Sequence, residues 1–166
     1  MAELLFYPVL LLLIIIESAI VRTLPLFNGT ADLLILWLAA WGLHNKGKQV
    51  WIGAIFVALV MSFVSAVPWY AYFFIYLFVA FLSRYMNRHF WHNPMIALIL
   101  VVFVSSIVSG GVQFAALYVQ GSSLQLLTVV KYVIIPSVFL NLLFAIPIYA
   151  LVNDMALWVY PIEVDE

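Results

Sequence analysis

The apolar run from Leu127 to Asn153 constrains the fold of this chain more than any other segment. An apolar stretch of about 18 residues or more is a candidate transmembrane helix. This run is interrupted by Pro136, Asn141 and Pro147. Prolines leave backbone carbonyls without their helical partners, and an asparagine in hydrocarbon needs a hydrogen-bond partner. Neither feature suits a helix that faces only lipid. We therefore expect this helix to be packed inside a bundle, with the other helices arranged around it.

The rest of the chain has the same apolar character. It is 68% hydrophobic and 8% charged, whereas soluble domains carry about 25% charged residues. Its 166 residues have room for about six spans of roughly 20 residues each. The sequence therefore predicts an all-α polytopic membrane helix bundle that forms a single membrane domain, 1–166. The six predicted transmembrane helices are residues 4–21, 31–43, 50–67, 69–83, 94–120 and 127–152.

Several of these segments have features that predict how they pack. Residues 31–43 are too few for a full span, so this helix either begins within the interface or is re-entrant. Pro68 separates the third and fourth segments, which would be too long for the membrane as one helix. Residues 84–93 are predicted to form a basic, aromatic loop. Small side chains, which favour close helix contact, recur every four residues in the third segment: Ala54, Ala58, Ser62 and Ala66.

The distribution of positive charge predicts the orientation. With six spans both termini lie on one side, and the loops on that side carry four basic residues: Lys46, Lys48, Arg84 and Arg88. The other side carries Arg22, with Lys131 near the start of the last segment. Glu3 and Arg22 around the first helix alone would favour the opposite insertion. Because positive residues favour the cytoplasm, the whole-chain count predicts that both termini are cytoplasmic.

Four ionisable residues lie at or inside the predicted membrane boundary: Glu17, Arg22, Asp32 and Lys131. A charge at mid-bilayer costs about 2.5–3.5 kcal/mol on insertion scales, so such residues are usually paired or functional. In the predicted topology all four lie in the outer half of the membrane. They either form a polar cluster at an outward-facing cleft, or snorkel and cap helices separately. Asn141, near mid-membrane, makes either an interhelical hydrogen bond or a contact with a ligand.

The sequence has no pattern typical of an enzyme. It lacks an H-E-x-x-H motif, a G-x-S-x-G nucleophile elbow and a Walker lysine motif. It also has no cysteine for disulfides or thiolate metal sites. His89 and His92 have no third metal ligand nearby and are expected to contact headgroups or a partner. We therefore predict no catalytic, cofactor or metal site, and the net charge of −1 gives no reason to expect a nucleic-acid partner.

The last segment also carries a resemblance to a known family. Its residues Ile135-Pro136-Ser137-Val138-Phe139-Leu140-Asn141-Leu142-Leu143, followed by Pro147 and a hydrophobic exit, resemble the C-terminal helix of the MreD family of bacterial rod-shape-determining membrane proteins. The length and hydropathy profile are similar over nearly the whole chain. Pro136 and Asn141 match the family as structural residues. Asp32, before two leucines, resembles the acidic start of the family's second helix.

The resemblance implies a function without enzymatic activity. Relatives of this kind are scaffold subunits of the cell-elongation complex in the bacterial cytoplasmic membrane, where they support lateral peptidoglycan synthesis and cell shape. The direct partner would be MreC, a bitopic protein with a large periplasmic part. The wider complex would contain the actin-like MreB, the polymerase RodA and a class B penicillin-binding protein. The fold would resemble the substrate-binding subunits of energy-coupling-factor transporters.

Two alternative functions remain open. The chain could be the substrate-binding subunit of an energy-coupling-factor vitamin transporter, with a cavity lined by Trp37, Trp41 and tyrosines. In that class a ladder of small residues usually lies on the first helix, whereas here it lies on the third. The chain could instead bind lipid or a peptidoglycan precursor through the outer polar cluster, in which Glu17 and Arg22 would be the test residues.

Overall fold

The computed structural model describes residues 3–17, 19, 29–44, 49–89 and 93–159. Within these ranges the chain is helical and forms no β-sheet, so the prediction of an all-α fold is confirmed. Its elements, in chain order, are α1 (Glu3–Ile16), α2 (Leu33–Leu43), α3 (Val50–Val64), α4 (Trp69–His89), α5 (Pro94–Val119), α6 (Leu126–Val129), a π-helical turn (Val130–Ile134) and α7 (Ile135–Val159).

Three helices in the described part of the chain are long and apolar enough to cross a membrane. They are Trp69–His89, Pro94–Val119 and the continuous run Leu126–Met155. The helices α2 and α3 are apolar but shorter. At 1.5 Å per residue, α2 is only about 16 Å long, whereas the hydrocarbon core of a bilayer is about 30 Å thick. By itself α2 therefore does not reach across a membrane.

The helix α4 is longer than the sequence pattern indicates. The prediction of a loop over residues 84–93 is wrong for its first part, because α4 continues to His89. No proline or glycine lies between Arg84 and His89 to stop the helix. Arg88 and His89 are in its last turn, where cations interact favourably with the helix dipole. The basic side chains of this segment are therefore held on a helix end.

The centre of the bundle is α2, and not the last helix. Every residue from Leu34 to Leu43 is buried, and α2 contacts α1, α3, α4, α5 and α7. The expectation that the other helices surround the segment Leu127–Asn153 is therefore wrong. The sequence of α2, LLILWLAAWGL, has no polar side and is therefore compatible with burial on all sides, although such a helix can equally span a lipid bilayer.

The helix α7 forms one wall of the bundle around α2. Its stripe of small and polar residues faces the interior, with Asn141 and Ala145 buried. Phe139 and Leu143, on the other side of the helix, are exposed. Contacts of α7 with α2 and α5 therefore involve the face that carries Asn141 and Ala145, while Phe139 and Leu143 point away from the bundle.

A widened turn accommodates the first proline of the last segment. The N–H of Ile135 donates to the carbonyl of Val130, five residues back, and Pro136 follows directly. Proline lacks an N–H, and its ring clashes with the preceding turn of a regular helix; a π-helical turn gives that ring more room. The interruption at Pro136 thus takes the form of a wide turn within a continuous helix.

The helix α3 packs most extensively against α4. The first two members of the small-residue ladder, Ala54 and Ala58, are fully buried. Ser62 is half-buried and Ala66 is exposed; Ala66 lies outside the helix, because α3 ends at Val64 and the chain then turns into α4. At this turn the hydroxyl of Tyr72 donates a 2.6 Å hydrogen bond to Oγ of Ser65, which fixes the corner between the two helices.

Candidate functional site

The amino-terminal end of α2 lies inside the bundle, where its first N–H groups need partners from the protein. Asp32 is the N-cap residue, and its Oδ1 accepts a 3.0 Å hydrogen bond from the N–H of Ile35. The N–H of Leu34 donates a 3.0 Å hydrogen bond to Oε2 of Glu17, which is 4% exposed. Two carboxyl groups thus lie at the positive end of the helix dipole, where negative charge is favourable.

Asn141 connects this end of α2 to two other helices. Its Oδ1 accepts a 2.7 Å hydrogen bond from the N–H of Asp32. Its Nδ2 donates a 2.8 Å hydrogen bond to Oγ of Ser106 on α5. The side chain is 2% exposed and uses both ends of its amide. A single residue on α7 therefore joins the start of α2 to the middle of α5.

The segment before α2 lies directly on the backbone of α7. The N–H of Thr30 donates a 3.1 Å hydrogen bond to Oγ of Ser137. A Cβ atom placed on Gly29 would lie 2.7 Å from the backbone nitrogen of Ser137 and 2.8 Å from the carbonyl carbon of Pro136. Such distances are far shorter than van der Waals contact. Only glycine therefore allows the chain to approach α7 this closely.

A polar cavity of about 200 Å³ opens beside these groups. Glu17, Thr30 and Asp32 line it from the α2 side, and Tyr72 and Gln113 line it from α4 and α5. The amide of Gln113 also donates a 2.9 Å hydrogen bond to Oγ of Ser109. Typical ligand pockets measure about 300–1,000 Å³, so this space suits ordered water or a very small polar group. Its walls consist mainly of groups that also hold helices together.

The structure brings together some of the residues that the sequence singles out. Glu17 and Asp32 both cap α2, Asn141 binds the Asp32 backbone, and Pro136 lies against the segment that leads into α2. Lys131 is apart from this group. It is exposed on the π-helical turn, with its Nζ 5.4 Å from the ring centroid of Tyr132.

The remaining candidate, Arg22, lies outside the described residues. Other members of the site carry weaker signals in the sequence. Ser106 and Gln113 belong to a short group of polar residues in an otherwise apolar helix, together with Ser105 and Ser109. The sequence marks them only in so far as polar groups in a membrane need partners. Gly29 resembles an ordinary turn residue, and nothing in the sequence shows that it contacts α7.

Comparisons with protein-family models, with curated proteins and with solved structures gave no match. No relative therefore assigns a role to the polar cavity or to the residues around it. The hydrogen bonds themselves show what these residues do in the fold: Glu17, Asp32 and Asn141 satisfy backbone groups at the buried end of α2.

Proposed function

We propose that this chain is a non-enzymatic scaffold subunit of a bacterial cell-elongation complex, as its resemblance to the MreD family implies. Its direct partner is an MreC-like bitopic protein. MreB, RodA and a class B penicillin-binding protein belong to the wider assembly. In this role the chain supports lateral peptidoglycan synthesis and cell shape by holding partners in the cytoplasmic membrane.

One observation carries this proposal: the buried carboxyl groups and the buried asparagine amide beside the polar cavity are engaged in supporting α2. Asn141 uses both its oxygen and its nitrogen in hydrogen bonds to the start of α2 and to Ser106. Glu17 and Asp32 accept hydrogen bonds from N–H groups of the first turn. Polar groups inside a membrane protein usually mark a site for ligands, ions or protons. Here they have a structural task, which favours a framework for other proteins.

The outward surface suits a partner with a single membrane helix. Large apolar side chains such as Phe103 on α5, and Phe139 and Leu143 on α7, are exposed. Association of helices in a membrane depends on van der Waals packing and on interhelical hydrogen bonds. A long apolar wall offers such packing to the transmembrane helix of a bitopic protein, with lipid covering the remaining surface.

The proposed arrangement in the membrane has six spans, with both termini in the cytoplasm. In it α1 and α3 cross the membrane together with the three long helices. The second crossing consists of α2 and the non-helical residues 29–32 before it, since four residues can add at most about 14 Å to the roughly 16 Å of α2. The fold would then resemble the substrate-binding subunits of energy-coupling-factor transporters.

A transporter subunit is the second candidate, and the aromatic residues of α2 count against it. Trp37 and Trp41 are only 1% and 3% exposed. Their rings stack on one another with centroids 5.8 Å apart. Neither lines the polar cavity beside α2. These side chains fill the core of the bundle, where a vitamin-binding subunit would need an open, aromatic-lined pocket.

Affinity purification of the full chain from its native host tests the proposal. The chain carries a tag, the membranes are solubilised in mild detergent, and an unrelated six-span protein with the same tag serves as the control. We expect enrichment of a bitopic coiled-coil protein, together with a cell-wall polymerase. Recovery of two ATPases and a second multi-span protein would overturn the proposal in favour of the transporter subunit. Recovery of the chain with neither set of partners would also count against a scaffold.

A further inference from the structure

A second cavity lies at the end of α4 that carries the basic residues. It measures about 370 Å³ and is lined by Trp51 of α3 and by Phe81, Arg84, Tyr85 and Arg88 of α4. None of these five residues is acidic. The cavity thus combines two guanidinium groups with three aromatic rings, and this chemistry differs from that of the polar cavity beside α2.

The two arginines line the same cavity. Arg84 and Arg88 are four residues apart on α4, so they lie one above the other on one face of the helix. Arg84 is partly buried, and its Nη1 donates a 3.3 Å hydrogen bond to the carbonyl of His44 at the end of α2. Arg88 is exposed. In the described part of the chain neither arginine forms an ion pair, so two permanent positive charges face the cavity.

The position of the cavity along α4 corresponds to the headgroup region of a bilayer. Arg84 and Arg88 are about 22 Å and 28 Å along the helix axis from Trp69, the first residue of α4. A hydrocarbon core is about 30 Å thick. If Trp69 lies at one interface, as an exposed tryptophan at a helix end commonly does, Arg88 lies near the opposite interface. The backbone of Arg84 lies about one turn deeper, from where its long side chain can extend to the headgroups.

The aromatic residues of the cavity extend it towards the apolar part of the bilayer. Trp51, Phe81 and Tyr85 are exposed, and the rings of Phe81 and Tyr85 stack with centroids 6.2 Å apart. Phe81 lies one turn deeper than Tyr85 along α4. A molecule that fits this cavity therefore has an anionic end at the arginines and an apolar part beside Phe81 and Trp51.

We propose that this cavity binds the phosphodiester headgroup of an anionic phospholipid. Arg84 and Arg88 donate hydrogen bonds to the phosphate oxygens, for which the planar guanidinium group is well suited. The glycerol and the upper acyl chains lie against Trp51 and Phe81. A zwitterionic lipid would bring a positive amine towards the two arginines, so phosphatidylglycerol or cardiolipin binds in preference to phosphatidylcholine.

Lipid binding to the purified full-length chain in mild detergent tests this inference. Native mass spectrometry counts the lipids retained when cardiolipin or phosphatidylglycerol is added, with phosphatidylcholine as the comparison. We expect preferential retention of the anionic lipids. Arg88→Gln weakens that retention by about tenfold, the loss expected for charge-assisted hydrogen bonds. Lys131→Gln is the matched control, because it removes an exposed charge far along the chain from this cavity and should leave retention unchanged.

Fluorescence quenching measures where the lipid binds. Phosphatidylglycerol with brominated acyl chains is expected to quench the tryptophan fluorescence of the wild-type chain more than that of the Trp51→Phe variant. This difference reports quenching of Trp51. It should be smaller when the same pair of chains also carries Arg88→Gln. Glycerol phosphate and inorganic phosphate, which have no acyl chains, should not compete at equal concentration. Equal retention of phosphatidylcholine, equal losses in Arg88→Gln and Lys131→Gln, or competition by soluble phosphate would each overturn the inference.

Discussion

The backbone N–H of Asp32 donates a 2.7 Å hydrogen bond to Oδ1 of Asn141, which lies 109 positions later in the chain. This contact attaches the start of the buried helix α2 to the wall formed by α7. Asn141 extends the connection to α5 through its 2.8 Å hydrogen bond to Ser106. Because the centre and two walls of the bundle meet at one amide group, the stability of the fold should depend strongly on it.

Replacement of Asn141 by leucine should destabilise the chain by about 1–3 kcal/mol, because two buried polar groups lose their partner. The measurement is the free energy of unfolding in detergent micelles. Asn153→Leu is the matched control: it makes the same chemical change further along α7, and Asn153 is less buried. We expect that control to have a much smaller effect. Equal losses in the two variants would mean that the hydrogen bonds of Asn141 contribute nothing specific.

Glu17 is expected to stabilise α2 mainly as a hydrogen-bond acceptor for the N–H of Leu34. Glu17→Gln keeps an oxygen that can accept this bond, whereas Glu17→Leu removes it. The leucine variant should therefore lose about 1–3 kcal/mol of unfolding free energy, and the glutamine variant should lose less. The difference between the variants in one unfolding assay tests the assignment. If glutamine is as damaging as leucine, the negative charge at the helix end is the larger contribution.

The sequence predicts the helices well and their arrangement less well. Apolar runs, Pro68 and Pro94 are local signals, and they place most helix ends within a few residues. The central position of α2 has no local signal. Its uniformly apolar sequence is compatible with lipid and with a protein core alike, and the choice depends on which helices surround it. Long-range partners such as Ser106 for Asn141 likewise depend on the packed structure.

The predicted polar cluster illustrates the same limit. Placing an ionisable side chain in a membrane costs free energy, so the sequence alone indicates that Glu17 and Asp32 need partners. Only the packing of α1 and α7 around α2 shows that both residues cap the same helix. The same reasoning groups Lys131 with them, yet Lys131 is exposed on the π-helical turn. Ionisable residues of similar depth can therefore have unrelated neighbours.

Gly29→Ala should push the chain just before α2 away from the backbone of α7. The new Cβ would lie 2.7 Å and 2.8 Å from backbone atoms of Ser137 and Pro136, and backbone cannot move aside as a side chain can. We expect a loss of about 1–3 kcal/mol, typical of overpacking, measured as unfolding free energy. Gly111→Ala is the control, since nothing lies within 4 Å of its Cβ position. Within α5, alanine should be neutral or stabilising there, by up to about 1 kcal/mol.

The absence of cysteine makes the proposed orientation directly measurable with single introduced thiols. Asn93→Cys lies at the exposed start of α5, and Ser123→Cys lies in the exposed segment that follows α5. With cytoplasmic termini and six spans, a membrane-impermeant maleimide should label Ser123→Cys in intact cells. It should label Asn93→Cys only after the membrane is permeabilised. The reverse pattern would show that the basic end of α4, and with it the proposed lipid site, faces outward; labelling of both in intact cells would mean that α5 does not cross the membrane.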